Sequence, residues 1–585
     1  MYISKKIYFL LFFLLGIIYF LGFLFPLMDL DATEYAMVAL RMVKRHDFIS
    51  IISRSVISFK EYDFLDKPHL SFWLEALSYQ IFGFKDWAYR IPSVLFTLLG
   101  GFSTYQLGRK LYTLETGFIS ALIFFCAQAI ILENHDARTD AILGGAVIFG
   151  VWQLYLYLDE KKWLNLFLGV LGLVLGMATK GMISVIVSGA AIFFYLLYSR
   201  NWKVLSDFKW LLAVPLFFLM LSPVLYAYYV QFDLHPEKLI KGAYNVSGIK
   251  FLLWSQSFER YAGEGEYVQY PEFSFFFHTY LWAFLPWSVL SYISVFYRGW
   301  EWIKIRFQKI DSMEFMTWGT SVSLFLLLSG MQYKMPHYIN ILFPFLSILL
   351  ASFILRLSNQ DMEKTILLNS TLNSKNHTNA SKLNHKKWNN ALIWIQGVIN
   401  LILLILVIVL NFYAFPITSL ILGILFLVVT LSAFYFFLKA ENSVFRLVVP
   451  TSLVAIAVNL LINGNFYPKL LAYQSGNTLA RYIEEKEINR ENIYYFNTIS
   501  RAFDFYTQKS IPEIDTSQLR KLVDAGKRIY IYIQDSQIPD LKRLKVSYTL
   551  EKQVPNFRVT KLNIQFLNPV TRESSLQKTD LIRIN

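Results

Sequence analysis

A single cysteine, Cys126, is the whole thiol content of a 585-residue chain, which excludes an intrachain disulfide, a thiolate metal cluster and a paired-cysteine redox motif. Sitting inside an apolar run, it reads as a small hydrophobe. Charge is scarce too: 16% of residues are Asp, Glu, Lys or Arg, against 55% apolar and 17% aromatic. That balance rules out an ordinary soluble domain, whose core cannot absorb so much apolar surface. The solvent that suits it is a lipid bilayer.

Long hydrophobic runs supply the rest of the picture. Backbone crosses hydrocarbon only when its hydrogen bonds close internally, which takes about 20 apolar residues in helical form. Thirteen runs qualify, near 7–27, 90–108, 115–133, 141–158, 163–179, 182–198, 210–230, 275–297, 315–330, 338–356, 391–411, 416–438 and 444–463. The first follows Lys5 and Lys6, but it is long for a signal peptide and no small-residue cleavage site follows, so it is expected to stay as an anchor.

The formal net charge is +14, and its distribution decides between nucleic acid and membrane as the cause. With the N-terminus inside, basic residues concentrate in alternate connections: Arg109 and Lys110, Lys161 and Lys162, Arg200, Lys203 and Lys209, Arg298 to Lys309, Arg356 to Lys387, and Lys439 with Arg446. The positive-inside rule accounts for that pattern, so nucleic acid is not an expected partner. Sequons at Asn369, Asn376 and Asn379 fall in the longest inside loop, a polar stretch over 358–389, and are expected to stay unglycosylated.

The expected fold is an all-α polytopic membrane protein of about thirteen transmembrane helices with a small C-terminal α/β soluble domain. A membrane module covers 1–356, with an outer amphipathic loop at 28–89. A cytoplasmic polar loop at 357–390, further helices at 391–463 and an outside domain at 464–585 complete it. In that tail, strands are predicted at 492–496, 528–533, 546–550 and 557–564, and helices at 499–507 and 516–525. The tail has no Gly-rich phosphate loop and no metal-ligand spacing.

Chemistry gathers on the outer side. Asp31 and Glu34 open an amphipathic helix whose apolar side is Ala32, Ala36, Ala39, Leu40 and Val43, expected along the membrane interface. The two acids serve either as helix-start groups or as a proton acceptor for an attacking hydroxyl. A second helix follows Asp66-Lys67-Pro68-His69. The next outer loop, Glu133-Asn134-His135-Asp136-Ala137-Arg138-Thr139-Asp140, packs five ionisable groups between two hydrophobic spans, where charge is expensive unless paired or used. Asp136 and Asp140 share a side if the helix begins early, and two carboxylates allow a divalent cation without specifying one. Lys180 in Thr179-Lys180-Gly181 is either snorkelling or functional. Lys334-Met335-Pro336-His337-Tyr338 and Ser257-Phe258-Glu259-Arg260-Tyr261 face the same side, and Gly263-Glu264-Gly265-Glu266-Tyr267 reads as a mobile lid. Cations holding phosphate beside carboxylates handling a hydroxyl suit a lipid-linked phosphate substrate, although a transporter has the same composition.

Leu30-Asp31-Ala32-Thr33-Glu34-Tyr35-Ala36, then Asp66-Lys67-Pro68-His69 with Trp73 and Phe82-Gly83, then Tyr89-Arg90-Ile91-Pro92-Ser93, resemble the aminoarabinose lipid A transferases and the wider protein-mannosyltransferase-like superfamily. The likeness continues through Arg138-Thr139-Asp140, Thr179-Lys180-Gly181 and Lys334-Met335-Pro336-His337-Tyr338, across about the first 350 residues. It implies a GT-C fold and an inner-membrane enzyme that passes a sugar from a polyprenyl phosphate to a lipid or glycan acceptor on the periplasmic side. The Lys/Arg asymmetry and the odd number of spans place the N-terminus in the cytoplasm and the C-terminal domain on the opposite, periplasmic side. Asp31 then matches the catalytic aspartate of the first loop and Asp140 the acid of the third outer connection; the neighbouring Glu34 and Asp136 complete the expected catalytic set. Lys67, Arg260 and Tyr338 match groups that hold the donor phosphate; from the charge pattern of the outer turns Lys334 is expected to join them, and His69, Arg138, Lys180 and His337 to hold the rest of the substrate. Ala32 stands where relatives carry a second acid, and Ser255-Gln256-Ser257 replaces a His-Glu-His pattern. Those departures weigh against a histidine metal site and against exact aminoarabinose specificity; Asp66 is what remains as a cation candidate. Transfer to protein Ser/Thr and a flippase without transfer chemistry are the competing expectations.

Overall fold

Helices stand at all thirteen predicted runs in the computed structural model, which describes residues 2–29, 31–264, 271–310, 313–358 and 377–584. Among the described residues, seven are long and apolar enough to cross a membrane, or eight if the bent pair Leu114–Cys126 and Gln128–His135 is one span. The others fall short for visible reasons. Pro286 separates Phe275–Ala283 from Ser288–Lys304, where one span was predicted at 275–297. Ile183–Ser199 and Met316–Ser329 are apolar but only 17 and 14 residues long. Asp86–Leu111 has 26 residues but carries Gly100, Gly101, Ser103 and Thr104 buried against its neighbours in place of large apolar side chains.

Small residues set the packing of the central helices. A Cβ on Gly172 would come within 2.5 Å of the Gly150 backbone, so Thr139–Glu160 and Trp163–Lys180 touch along their glycines. The last span, Ser443–Leu461, is largely buried and is joined to the bent pair by reciprocal amide bonds between Asn459 and Gln128, 3.1 and 3.2 Å. The helix predicted at 391 begins at His377 and contains Asn379, so the polar loop ends earlier than expected. Asn369, Asn376 and the Gly265-Glu266-Tyr267 part of the expected lid lie outside the described residues.

Residues after 474 build a five-stranded sheet flanked by the helices Ser475–Glu485, Arg501–Thr507 and Thr516–Asp524. Two short strands, β1 (Ile52–Arg54) and β2 (Glu61–Asp63), pair separately in the connection between the first two predicted spans. The sheet holds β3 (Ile493–Phe496), β4 (Glu513–Ile514), β5 (Ile529–Gln534), β6 (Thr549–Asn556) and β7 (Gln577–Ile584), in the order β4-β3-β5-β7-β6. β3 runs parallel to β4 and β5, and β7 antiparallel to β5 and β6. Alternation along β5 explains the two cores: Ile529, Ile531 and Ile533 pack on one face, Tyr532 on the other. The strand expected at 557–564 is absent; that stretch leads into the short helix Ile564–Leu567, and β7 takes the place beside β5.

The amphipathic helix Asp31–Arg45 does not lie open on the interface as expected. Residues 32 to 42 are all buried, because the C-terminal domain covers the polar side. Glu34 accepts from Arg501 at 2.9 Å and from Ser53 at 2.5 Å, Arg54 meets Asp504 at 3.1 Å, and Arg41 reaches Ser510 at 3.1 Å.

Candidate active site

The hairpin of Thr139–Glu160 and Trp163–Lys180 turns at Lys161, so the start of one helix and the end of the other share a face. Asp140 and Lys180 therefore meet: Lys180 Nζ donates to Asp140 Oδ1 at 2.5 Å, and each side chain is 7% exposed. The span beginning at Pro336 adds His337, whose Nε2 stands 3.7 Å from Asp140 Oδ2, and Tyr338, whose ring centroid lies 4.7 Å from Lys180 Nζ. Arg138 Nη1 donates to His337 Nδ1 at 2.9 Å. An arginine cannot accept, so that ring nitrogen carries no proton and His337 is neutral here. Arg138 also bonds Asp136 through Nε at 2.7 Å and holds Nη2 3.9 Å from Asp31 Oδ2.

Opposite this group, Asp66 joins two cations: Arg260 Nη2 at 2.5 Å and Lys67 Nζ at 3.3 Å. Burial pushes the Asp66 carboxyl up, but Lys67 and Arg260 outweigh it and hold it well below the ordinary carboxylate range. Arg260 Nη1 donates to the Tyr338 hydroxyl at 3.4 Å. Backbone bonds from Gln332 N to Tyr261 O and from Tyr333 N to Arg260 O, 3.1 and 3.2 Å, fix the arginine against the 332–338 segment. Gly263 ends the arginine's helix at φ +73, a conformation that suits glycine.

Two cavities meet at these residues. A polar one of about 150 Å³ is lined by Asp31, Asp66, Lys67, Arg138, Asp140 and His337, among others. An apolar one of about 270 Å³ runs between spans past Leu143, Ile183, Ile186, Leu327, Leu328 and Ile341. Asp140, Arg260 and Tyr338 line both. The carboxylates of the polar chamber differ in freedom. Asp140 and Asp66 are held by cations at 2.5 Å, whereas Asp31 is 45% exposed with Arg138 at 3.9 Å.

Four residues singled out in the sequence do not line either chamber. Glu34 turns to Ser53 and Arg501, and burial raises its proton affinity in spite of the arginine. Asp136 stands behind Arg138, and the left-handed Ala137 separates it from the helix bearing Asp140, so the two acids do not share a helical side. Lys334 donates to the carbonyls of Glu272 and Pro271 at 2.9 and 3.4 Å. Tyr333 and Met335 line the chamber instead, since alternate residues of this extended stretch point opposite ways. Tyr35 was missed as well, although it lies four residues after Asp31 and so on the same helical side. Among the described residues no three His, Cys, Asp or Glu side chains are placed to hold a metal ion. Asp66, the cation candidate, is engaged by Arg260 and Lys67.

His69 is fully buried, with Nε2 bonded to Ile49 O at 2.8 Å and its ring edge against Tyr228 at 4.9 Å. Burial lowers its pKa to about 4. A depressed histidine stabilises the fold above its unfolded pKa of about 6.5, and that contribution, on the order of 3 kcal/mol, is lost as pH falls through the folded value. The parent's unfolding midpoint should therefore drop between pH 6.5 and pH 4, with a shallower drop in His69→Gln.

A family profile described as dolichyl-phosphate-mannose-protein mannosyltransferase matches residues 66–227. The crystal structure of ArnT from Cupriavidus metallidurans bound to undecaprenyl phosphate superimposes with a TM-score of 0.69, 15% identical, covering 98% of this chain and 97% of that one. The chain has the ArnT-like GT-C fold. The apo form of the same ArnT gives a TM-score of 0.64 with the same coverage. Two curated relatives carry the name undecaprenyl phosphate-alpha-4-amino-4-deoxy-L-arabinose arabinosyl transferase. That of Edwardsiella ictaluri is 24% identical over 359 residues, 59% of this chain and 58% of the relative. That of Pseudomonas aeruginosa (strain UCBPP-PA14) is 26% identical over 265 residues, 44% of each chain. The chain thus spans about half the length of the curated relatives it matches.

Proposed function

We propose that the chain is a multi-pass inner-membrane glycosyltransferase moving a sugar from a polyprenyl-phosphate donor to a hydroxyl of an envelope lipid or glycan, lipid A or a related glycolipid. One observation carries this reading: a cation-lined polar chamber and an apolar cavity between spans share Asp140, Arg260 and Tyr338. A lipid with an anionic headgroup fits that pair of spaces, tail against Leu143, Ile183 and Leu328, phosphate against Lys67, Arg260 and Tyr338. Lysine snorkelling alone leaves no such paired void. The relatives' names, which specify an undecaprenyl-phosphate-linked sugar, agree with it.

Asp31 takes the proton of the acceptor hydroxyl as its oxygen attacks the anomeric carbon. A bond forms from that carbon to the acceptor oxygen, the bond to the phosphate oxygen breaks, and the electron pair leaves on the lipid phosphate. Lys67 and Arg260 disperse the charge that develops there, where exclusion of water strengthens them. Attack opposite the leaving group inverts the anomeric centre. Asp140, fixed by Lys180, orients the acceptor or the sugar, with His337 beside it and Arg138 between that histidine and Asp31. Lys and Arg in alternate connections orient the chain, so the chamber and the domain after 464 face the periplasm. Protein in liposomes with labelled undecaprenyl-phosphate sugar and envelope acceptors is expected to yield glycosylated acceptor. Movement of donor between leaflets without product would overturn this in favour of a flippase.

A further inference from the structure

A third cavity, of about 440 Å³, opens between the end of helix Asp31–Arg45 and the loop after helix Arg501–Thr507. Five cations line it, Arg41, Lys44, Arg45, Arg490 and Lys509, against one carboxylate, Glu491. Arg41 and Arg45 face Glu61 outside the cavity at 3.5 and 2.7 Å, and Lys509 meets Glu491 at 2.7 Å. Lys44 and Arg490 have no carboxylate partner among the described residues. Lys44 Nζ donates to Gln508 O at 2.5 Å and lies 5.9 Å from the Phe84 ring centroid; Arg490 Nη1 donates to Thr507 O at 2.9 Å.

Those carbonyls end a helix, and a cation at a helix C-terminus is an ordinary structural device. It explains one bond from each side chain. It does not explain why two cations from separate elements crowd one short helix end, among three more, around an open space. Arg490 is near enough to lower the proton affinity of Lys44, after burial. Five cations against two carboxylates leave an excess of three positive charges, which repel one another unless an anion enters.

We propose that this cleft is a second anion site, separate from the donor-phosphate groups, that binds a phosphomonoester at Lys44 and Arg490. A dianion answers the charge excess better than a carboxylate, the guanidinium fork and the ammonium suit phosphate oxygens, and the volume admits the sugar or glycerol that bears the phosphate. Lys44 stands thirteen residues after Asp31, about 20 Å along the same helix, too far to share the donor's phosphate. The cleft needs no transfer reaction to bind its anion.

The test uses full-length protein in phosphatidylcholine nanodiscs titrated calorimetrically with glucose 1-phosphate, and nanodiscs doped with phosphatidic acid read by native mass spectrometry. Saturable binding of either probe is expected, weakened at least about tenfold in Lys44→Gln/Arg490→Gln and unchanged in Arg528→Gln on the same domain's surface. Glucose itself should not bind. Retention of phosphatidic acid alone would identify a lipid source of the phosphate, and binding of glucose 1-phosphate alone a glycan source; both support the site. Equal affinity in the double variant, or binding of neither probe, overturns it. If the double variant does not fold, Arg490→Gln alone is read by the same criterion, with Arg490→Lys expected to restore part of the loss.

Discussion

Asp31→Asn protein, correctly inserted and folded, is expected to transfer sugar about a thousandfold more slowly than the parent with donor KM within about twofold. The carboxamide keeps the size and hydrogen-bonding reach of the side chain but cannot take a proton, so the loss falls on kcat. The choice of Asp31 over its neighbours rests on the contacts of each acid. Asp140 is committed to Lys180 at 2.5 Å and Asp66 to Arg260 at 2.5 Å, and a carboxylate so held is a weak base. Asp31, 45% exposed with a cation only at 3.9 Å, keeps its lone pairs for an incoming hydroxyl. Asp140→Asn should behave differently: it leaves Lys180 without its carboxylate, so lower thermal stability should accompany any loss of rate. Single-turnover transfer by Asp31→Asn at the parent's rate would reject the base assignment.

Much of this arrangement was legible in the sequence because a bilayer imposes strong rules. Apolar runs announced the helices, and ionisable residues between them announced the chamber, since Asp140, Lys180 and Arg260 have no reason to sit there unpaired. What stayed hidden depends on direction and on distant partners. Lys334 and Tyr333 are adjacent in sequence, yet only the tyrosine faces the chamber, because the extended backbone sends neighbours opposite ways. Glu34 resembled a companion to Asp31 until the C-terminal domain supplied Arg501, 467 positions away. The polar face of helix Asp31–Arg45 looked made for water for the same reason. β7 escaped notice because its mixed pattern, Gln577 to Ile584, acquires meaning only beside β5 and β6.

Lys67→Met is expected to lower kcat/KM for the donor about a hundredfold, mostly through KM, in contrast with the kcat loss of Asp31→Asn. A contact to phosphate exists before reaction as well as during it, so its removal weakens ground-state binding first. The developing negative charge on the departing phosphate then adds a smaller loss in kcat. Methionine retains the length of the stem in a site where Lys67 is 8% exposed, and Asp66 keeps Arg260 at 2.5 Å, so no buried charge is stranded and the fold should hold. That remaining pair deepens the defect: with Lys67 gone, Asp66 and the donor phosphate compete for Arg260. Lys67→Arg should recover part of the affinity, because charge survives while geometry changes. Adding Asp66→Asn to Lys67→Met should then recover more donor binding than either change alone predicts, by releasing Arg260 from its carboxylate. Donor KM values across that double-mutant cycle decide the matter, and strict additivity would mean that Asp66 and the phosphate do not draw on the same cation.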